Sequence, residues 1–290
     1  MTRPFRRGPS RTRTPRRLAL VTCVALASAA WPPSGVSAGT IDPCAGYGAV
    51  TVTGTVAIEG IDEVSGVVVS NRRPVLWIEE DSGNPARIYA IDGSGGRRGV
   101  VDVDHAQNLD WEDIAISGRR LWLADIGDNF ELRASIRAFW FSEPRRSETT
   151  ATARVLHLRY EDGPHNAEAM VVDGKRKELY IFTKEPGATA VYRTSVLGVQ
   201  GGDSRRLTKI ATLPLNMVTA ADLGPDGVIV KSGSGYLYRW TSDRTVPTAL
   251  AGRPCRAQAG PGESLAFARG GGLYAIPEGS VPSIHFTTPT

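Results

Sequence analysis

Five times along the chain, about fifty residues apart, an acidic residue opens a short apolar stretch, and two further stretches follow after turns. The openings are Glu63, Glu112, Glu168, Asp222 and Glu263. Behind them come Leu76-Trp77-Ile78, Leu121-Trp122-Leu123, Leu179-Tyr180-Ile181, Val228-Ile229-Val230 and Leu273-Tyr274-Ala275. Third stretches include Arg87-Ile88-Tyr89, Ile136-Arg137-Ala138 and Tyr236-Leu237-Tyr238. A fourth stretch of strand character closes four of the units: 100–103, 153–159, 206–213 and 246–250. All are short, rich in Val, Ile, Tyr and Trp, and bounded by Gly, Asp, Asn and Pro. None sustains a helical period.

Four short strands per unit, repeated at a fixed period, point to an all-β chain folded as a β-propeller. The expected form has five four-stranded blades, with six left open. The fifth unit lacks its own fourth strand, and residues 50–58 form an unassigned strand ahead of the first unit. Pairing that N-terminal strand into the last blade closes the ring and removes exposed sheet edges.

Residues 1–38 read differently. Seven arginines with no acid precede an apolar run over 18–30, which ends at Val36-Ser37-Ala38. That order is a secretory signal, too short in its apolar part for a stable membrane span. Arg16-Arg17 before the run also fits twin-arginine export. The expectation is a secreted or extracytoplasmic protein with one domain over 39–290. Without the leader, 27 of the 34 Lys+Arg face 30 Asp+Glu, so the net charge is −3 and not +4. A nucleic-acid partner is not indicated. Cys44 and Cys255 are an even pair in an oxidising compartment and are expected to bond.

In a propeller the unit openings gather around one mouth of the central channel. Glu63, Glu112, Glu168, Asp222 and Glu263 would repel one another there unless protonated or shared by a cation. An oxygen-only donor set favours Ca2+, with Mg2+ second. Lys184, Lys231, Arg133 and Asp128 follow second strands and are the candidate contacts for a small anionic substrate or a surface ligand. Glu112, Glu168 and His165 are the candidate acid–base residues. Nucleophile-elbow, phosphate-loop and His-Glu metalloprotease motifs do not occur in the sequence.

The series Glu63-Val64-Ser65-Gly66, Asp110-Trp111-Glu112, His165-Asn166-Ala167-Glu168 and Gly262-Glu263 resembles the calcium-centred five-bladed propellers of the apyrase (calcium-activated nucleotidase) type. More loosely, it is similar to exported bacterial propellers of the phytase-like and gluconolactonase-like groups. The resemblance implies a central calcium and a metal-dependent hydrolase of phosphate esters or anhydrides. The fourth unit departs from it with Thr219-Ala220-Ala221-Asp222. Two other readings stay open: a non-enzymatic, calcium-stabilised binding module, and a lactonase-like hydrolase. A monomer is expected in each case.

Overall fold

The computed structural model of the chain describes residues 1, 41–225, 227–241 and 245–290. The expected leader lies outside the described residues, Met1 apart. From Thr40 to Thr290 the chain forms one compact unit. Among the described residues, no helix is long and apolar enough to cross a membrane.

The unit is all-β, with strands in successive antiparallel meanders. An initial strand, β1 (Tyr47–Thr55), precedes the first meander of β2 (Val64–Val69), β3 (Leu76–Glu80), β4 (Arg87–Ile91) and β5 (Arg97–Asp104). The second comprises β6 (Trp111–Ser117), β7 (Arg120–Asp125), β8 (Ile136–Ser142), the short β9 (Thr150–Thr152) and β10 (Arg154–Tyr160). The third comprises β11 (Ala167–Asp173), β12 (Glu178–Thr183), β13 (Thr189–Ser195) and β14 (Ser204–Leu213). Next come β15 (Val218–Gly224), β16 (Gly227–Ser232), β17 (Tyr236–Thr241), the helix α1 (Val246–Leu250) and β18 (Cys255–Gln258). The last is β19 (Ala266–Phe267), β20 (Leu273–Ala275) and β21 (Ser283–Pro289).

β1 supplies the fourth strand of this last sheet, pairing with β21 from Tyr47↔Pro289 to Thr55↔Ser283. Outer strands also join neighbours. Parallel pairing of β10 with β14 fuses the second and third meanders into one eight-stranded sheet, and β9 extends the first by pairing with β5.

Five apolar clusters are found among the described residues, and each lies between two successive meanders. Trp77, Trp111 and Phe139 fill the first interface, Trp122, Trp140 and Tyr192 the second, and Tyr180, Phe182 and Trp240 the third. Ile229 and Leu273 meet in the fourth, and Ile78 and Ile284 in the fifth, where the last sheet meets the first. Large side chains suit these wedge-shaped gaps because radially arranged sheets diverge outward. The innermost strands touch in a circuit: β2 with β6, β6 with β11, β11 with β15, β15 with β19, and β19 with β2. The arrangement is propeller-like.

One expected strand is a helix. Residues 246–250 form α1 because Thr245 caps it, its Oγ1 accepting the Thr248 amide at 3.0 Å, and Pro247 sits in its first turn. The outer strand of that sheet is β18 instead.

A candidate cation centre at the channel mouth

The inner strands share a defect. β2, β6, β11 and β15 each slip register against their hairpin partner at the opening, between Val64 and Val67, Trp111 and Asp113, Ala167 and Ala169, and Val218 and Ala220. A bulge of this kind leaves an extra residue unpaired and re-aims its side chain. The extra residues are Glu112, Glu168 and Thr219, with Ser65-Gly66 opposite a single partner in β2. Ser65, Glu112, Glu168 and Thr219 are all buried.

Around these bulges the carboxylates converge. Asp81, Asp110 and Glu112 each bring an oxygen within 4.8 Å of the others. The Glu112 carboxyl is pushed well up, first by burial, then by Glu168, Asp81 and Asp110. Glu168 is also raised, by burial and then by Glu263, against the opposing pull of Lys184. Asp81 and Asp110 are raised chiefly by burial. Lys184 Nζ pairs with Glu168 Oε1 and lies 3.4 Å from Glu263 Oε1. Glu168 Oε2 and Thr219 Oγ1 are buried with no hydrogen-bond partner.

Gly127 shapes the group. A Cβ there would lie 2.1 Å from Glu112 Oε1 and 2.4 Å from Asp110 Oδ2, so only glycine lets these two carboxylates close in. Its amide donates to the Asp110 carbonyl at 3.2 Å, fixing the approach.

The structure brings together Glu112, Glu168, Lys184 and Glu263 from the sequence expectations. Others are used differently. Glu63 lies at the exposed edge of the group, where its charge helps raise Asp81, and it accepts from Asn84 Nδ2 at 2.9 Å. Asp222 accepts two backbone amides, Leu223 at 2.7 Å and Phe267 at 2.8 Å, so both oxygens are occupied. Asp222 lies three positions past the bulge at Thr219, which is the true register counterpart of Glu112 and Glu168.

Lys231 is not a counterpart of Lys184. It precedes the end of β16, is fully buried, and donates to the carbonyls of Pro261 and Ser264 at 3.2 and 3.3 Å. Arg133 donates to the carbonyls of Gly127 and Asp125 and pairs with the Asp125 carboxylate at 3.1 Å. Asp128 accepts the amides of Leu132 and Arg133, stapling its own loop. His165 Nδ1 lies 2.8 Å from Glu185 Oε1, and its Nε2 lies 3.1 Å from Asp162 and 2.8 Å from the Tyr192 hydroxyl. Its ring nitrogens therefore face this side network, not Glu168. Cys44 and Cys255 form a disulfide.

The sequence expectations named Asp110 and Thr219 only within the unit-opening motifs, and Asp81 and Gly127 in no ligand set. Asp110 stands two residues before Glu112, and Asp81 follows the second stretch of the first unit, so both carried a positional signal. Thr219 stood where the fourth unit departs from the pattern, but its place in the group, like that of Gly127, emerges only from the register.

No family model and no curated protein matches the chain. Among solved structures, it is similar to a chain of a nidogen/laminin complex, with a TM-score of 0.48 and 16% identity, covering 74% of this chain and 72% of that one. It is also similar to a glucose dehydrogenase, with a TM-score of 0.49 and 10% identity, covering 84% of this chain and 100% of the other.

Proposed function

We propose that the chain is an exported five-bladed β-propeller, each meander one blade, whose acidic mouth holds a divalent cation and offers it to an anionic ligand. The observation that carries this reading is Glu168 Oε2, a buried carboxylate oxygen without a partner beside the raised Glu112 carboxyl. Burying such an oxygen unpaired is costly, and a shared cation removes the cost for both carboxylates. Glu112, Glu168, Asp81 and Asp110 would supply the oxygens, with the Thr219 hydroxyl opposite. A donor set of carboxylates and hydroxyl, with neither sulfur nor imidazole, suits Ca2+ first and Mg2+ second.

Lys184 favours a second reading, a metal-dependent hydrolase of phosphate esters or anhydrides. A bound cation supplies Lewis-acid polarisation of a substrate oxygen. Lys184, already anchored by Glu168 and Glu263, would steady negative charge on the substrate. Glu112, ionised once the cation is bound, would take the proton of an attacking water as general base. Binding without turnover remains the first reading, because Lys231, Arg133, Asp128 and His165 are committed to the protein's own groups. A lactonase-like activity has no observation in its favour.

Calorimetric titration of chelator-stripped protein tests the cation. Saturable calcium binding, weakened at least tenfold in Glu168→Gln, is the expected outcome. An equal affinity in that variant would remove Glu168 from the site and the reading with it.

A further inference from the structure

The face opposite the mouth carries a second charged site of the other sign. Inner strands open at the mouth, and hairpin partners alternate in direction. The β2–β3 turn, the β4–β5 turn and the segment after β8 therefore all lie at the far end. Those three loops line a cleft of about 620 Å³ containing Arg72, Arg73, Arg98, Arg145 and Arg146.

Of these arginines the cleft's acids neutralise only Arg98. Asp92 is taken by Arg98, Ser94 and its own turn. Glu143 is buried beneath, where Oε1 accepts from Ser70 and from the Trp77 indole. Glu148 accepts the Arg145 backbone amide. Among the described residues, no carboxylate forms an ion pair with Arg72, Arg73, Arg145 or Arg146. Arg73 and Arg146 stand close enough to repel: the Arg73 guanidinium is held below its usual range by burial and then by Arg146, against a smaller pull from Glu143.

Two of the guanidinium groups are also held in place. Arg72 NH1 donates to the Glu143 carbonyl and Arg73 NH2 to the Arg98 carbonyl, each at 3.4 Å. Arg73 lies over the Trp77 ring, 5.4 Å from its centre. Like charges crowded into a concave site, with oriented donors to spare, are the complement of a multiply charged oxyanion.

We propose that this cleft binds a phosphate or sulfate monoester group, independently of the cation centre on the other face. Arg73 and Arg146 grip the oxygens, and Arg72 and Arg145 flank them. The cleft is several times larger than the anion, so the group arrives attached to a larger molecule such as a phosphorylated or sulfated sugar.

The test is titration of the full protein with phenyl phosphate and with 4-nitrophenyl sulfate at low salt. Saturable binding of either, with a dissociation constant at or below about 1 mM, is expected. It should weaken at least tenfold in Arg73→Gln/Arg146→Gln and persist unchanged in Glu168→Gln. Arg146 is exposed, so Arg146→Gln alone keeps the fold and should still lose affinity; Arg146→Lys, which keeps charge but not the fork, should lose part of it. Tighter phosphate binding as the pH rises through about 6 identifies a phosphate ligand, since its second ionisation lies there. A pH-independent preference for the sulfate probe identifies a sulfate ligand. No saturation by either probe, or parent-like affinity in both Arg146→Gln and the double variant, overturns the proposal.

Discussion

Asp113 Oδ2 on β6 accepts the amide of Met170 on β11 at 2.8 Å, spanning two inner strands that share no ladder of their own. Its other oxygen accepts the Ile114 amide, also at 2.8 Å. Asp222 repeats the device two sheets on, joining its neighbour Leu223 to Phe267 of β19. Inner strands that diverge from the axis leave backbone donors facing a gap, and a buried donor must find a partner. Replacing Asp113 or Asp222 by Ala should therefore lower stability by about 2–4 kcal/mol, the cost of orphaning two amides. Urea unfolding measures it. Calcium affinity should stay the same, which separates these two aspartates from Glu112 and Glu168.

Gly127→Ala tests the closeness of the mouth carboxylates. The added methyl would press on the Glu112 and Asp110 carboxylates, side-chain groups and not backbone, so the carboxylates give way before the fold does. The ligand oxygens must then spread. Calcium affinity is expected to fall at least tenfold, about 1.4 kcal/mol, while the melting temperature in chelator moves little. Calorimetry and a melt on the same sample check both halves.

Lys231 makes stability depend on pH. Burial holds its amine down to about 7, from an ordinary 10.5, with Glu263 opposing weakly. Below the folded value both the folded and unfolded chains hold the proton. Between the two values only the unfolded chain does, so stability rises with pH across this window, by at most about 1.4 kcal/mol per unit. Lys231→Met should remove that slope relative to the parent, as measured by urea unfolding at several pH values.

The Cys44–Cys255 bond ties the segment before β1 to β18, across 211 residues of chain. Beside it, the Cys44 amide donates to the Arg256 carbonyl and the Arg256 amide to the Asp42 carbonyl. Because β1 completes the last sheet, the bond guards the closure of the whole circuit. A chain-entropy account gives about 5 kcal/mol at most for so long a loop, and about 2–5 kcal/mol is the usual loss. Cys255→Ser should unfold at correspondingly lower urea, with β1 the first element to exchange its amides.

Repeat spacing and strand composition made the meanders readable, the closing strand followed from what the last unit lacked, and the disulfide from an even pair of cysteines in a chain expected to be exported. Side-chain register was not readable. A bulge adds one residue without any change in composition, so Asp222 looked like the counterpart of Glu112 and Glu168 when the bulge residue is Thr219. The same slip made Lys231 look like a partner of Lys184, though it points into the core one sheet further on. Asp128 and Arg133 showed their residue types but not that the loop's own amides and carbonyls already use them. Residues 246–250 had strand-like composition at its start, and Thr245 with Pro247 overrode it.

The most direct test of the central claim is a pair of thermal melts, in calcium and in excess chelator, on the parent and on Glu168→Gln. At 100 times its dissociation constant, calcium should stabilise the parent by about 2.7 kcal/mol. The variant should lose that shift, whatever its own melting temperature in chelator, where it also gives up the Lys184–Glu168 pair. Identical melting of the parent in calcium, in magnesium and in chelator would contradict the account and leave the mouth carboxylates as a protonated, metal-free cluster.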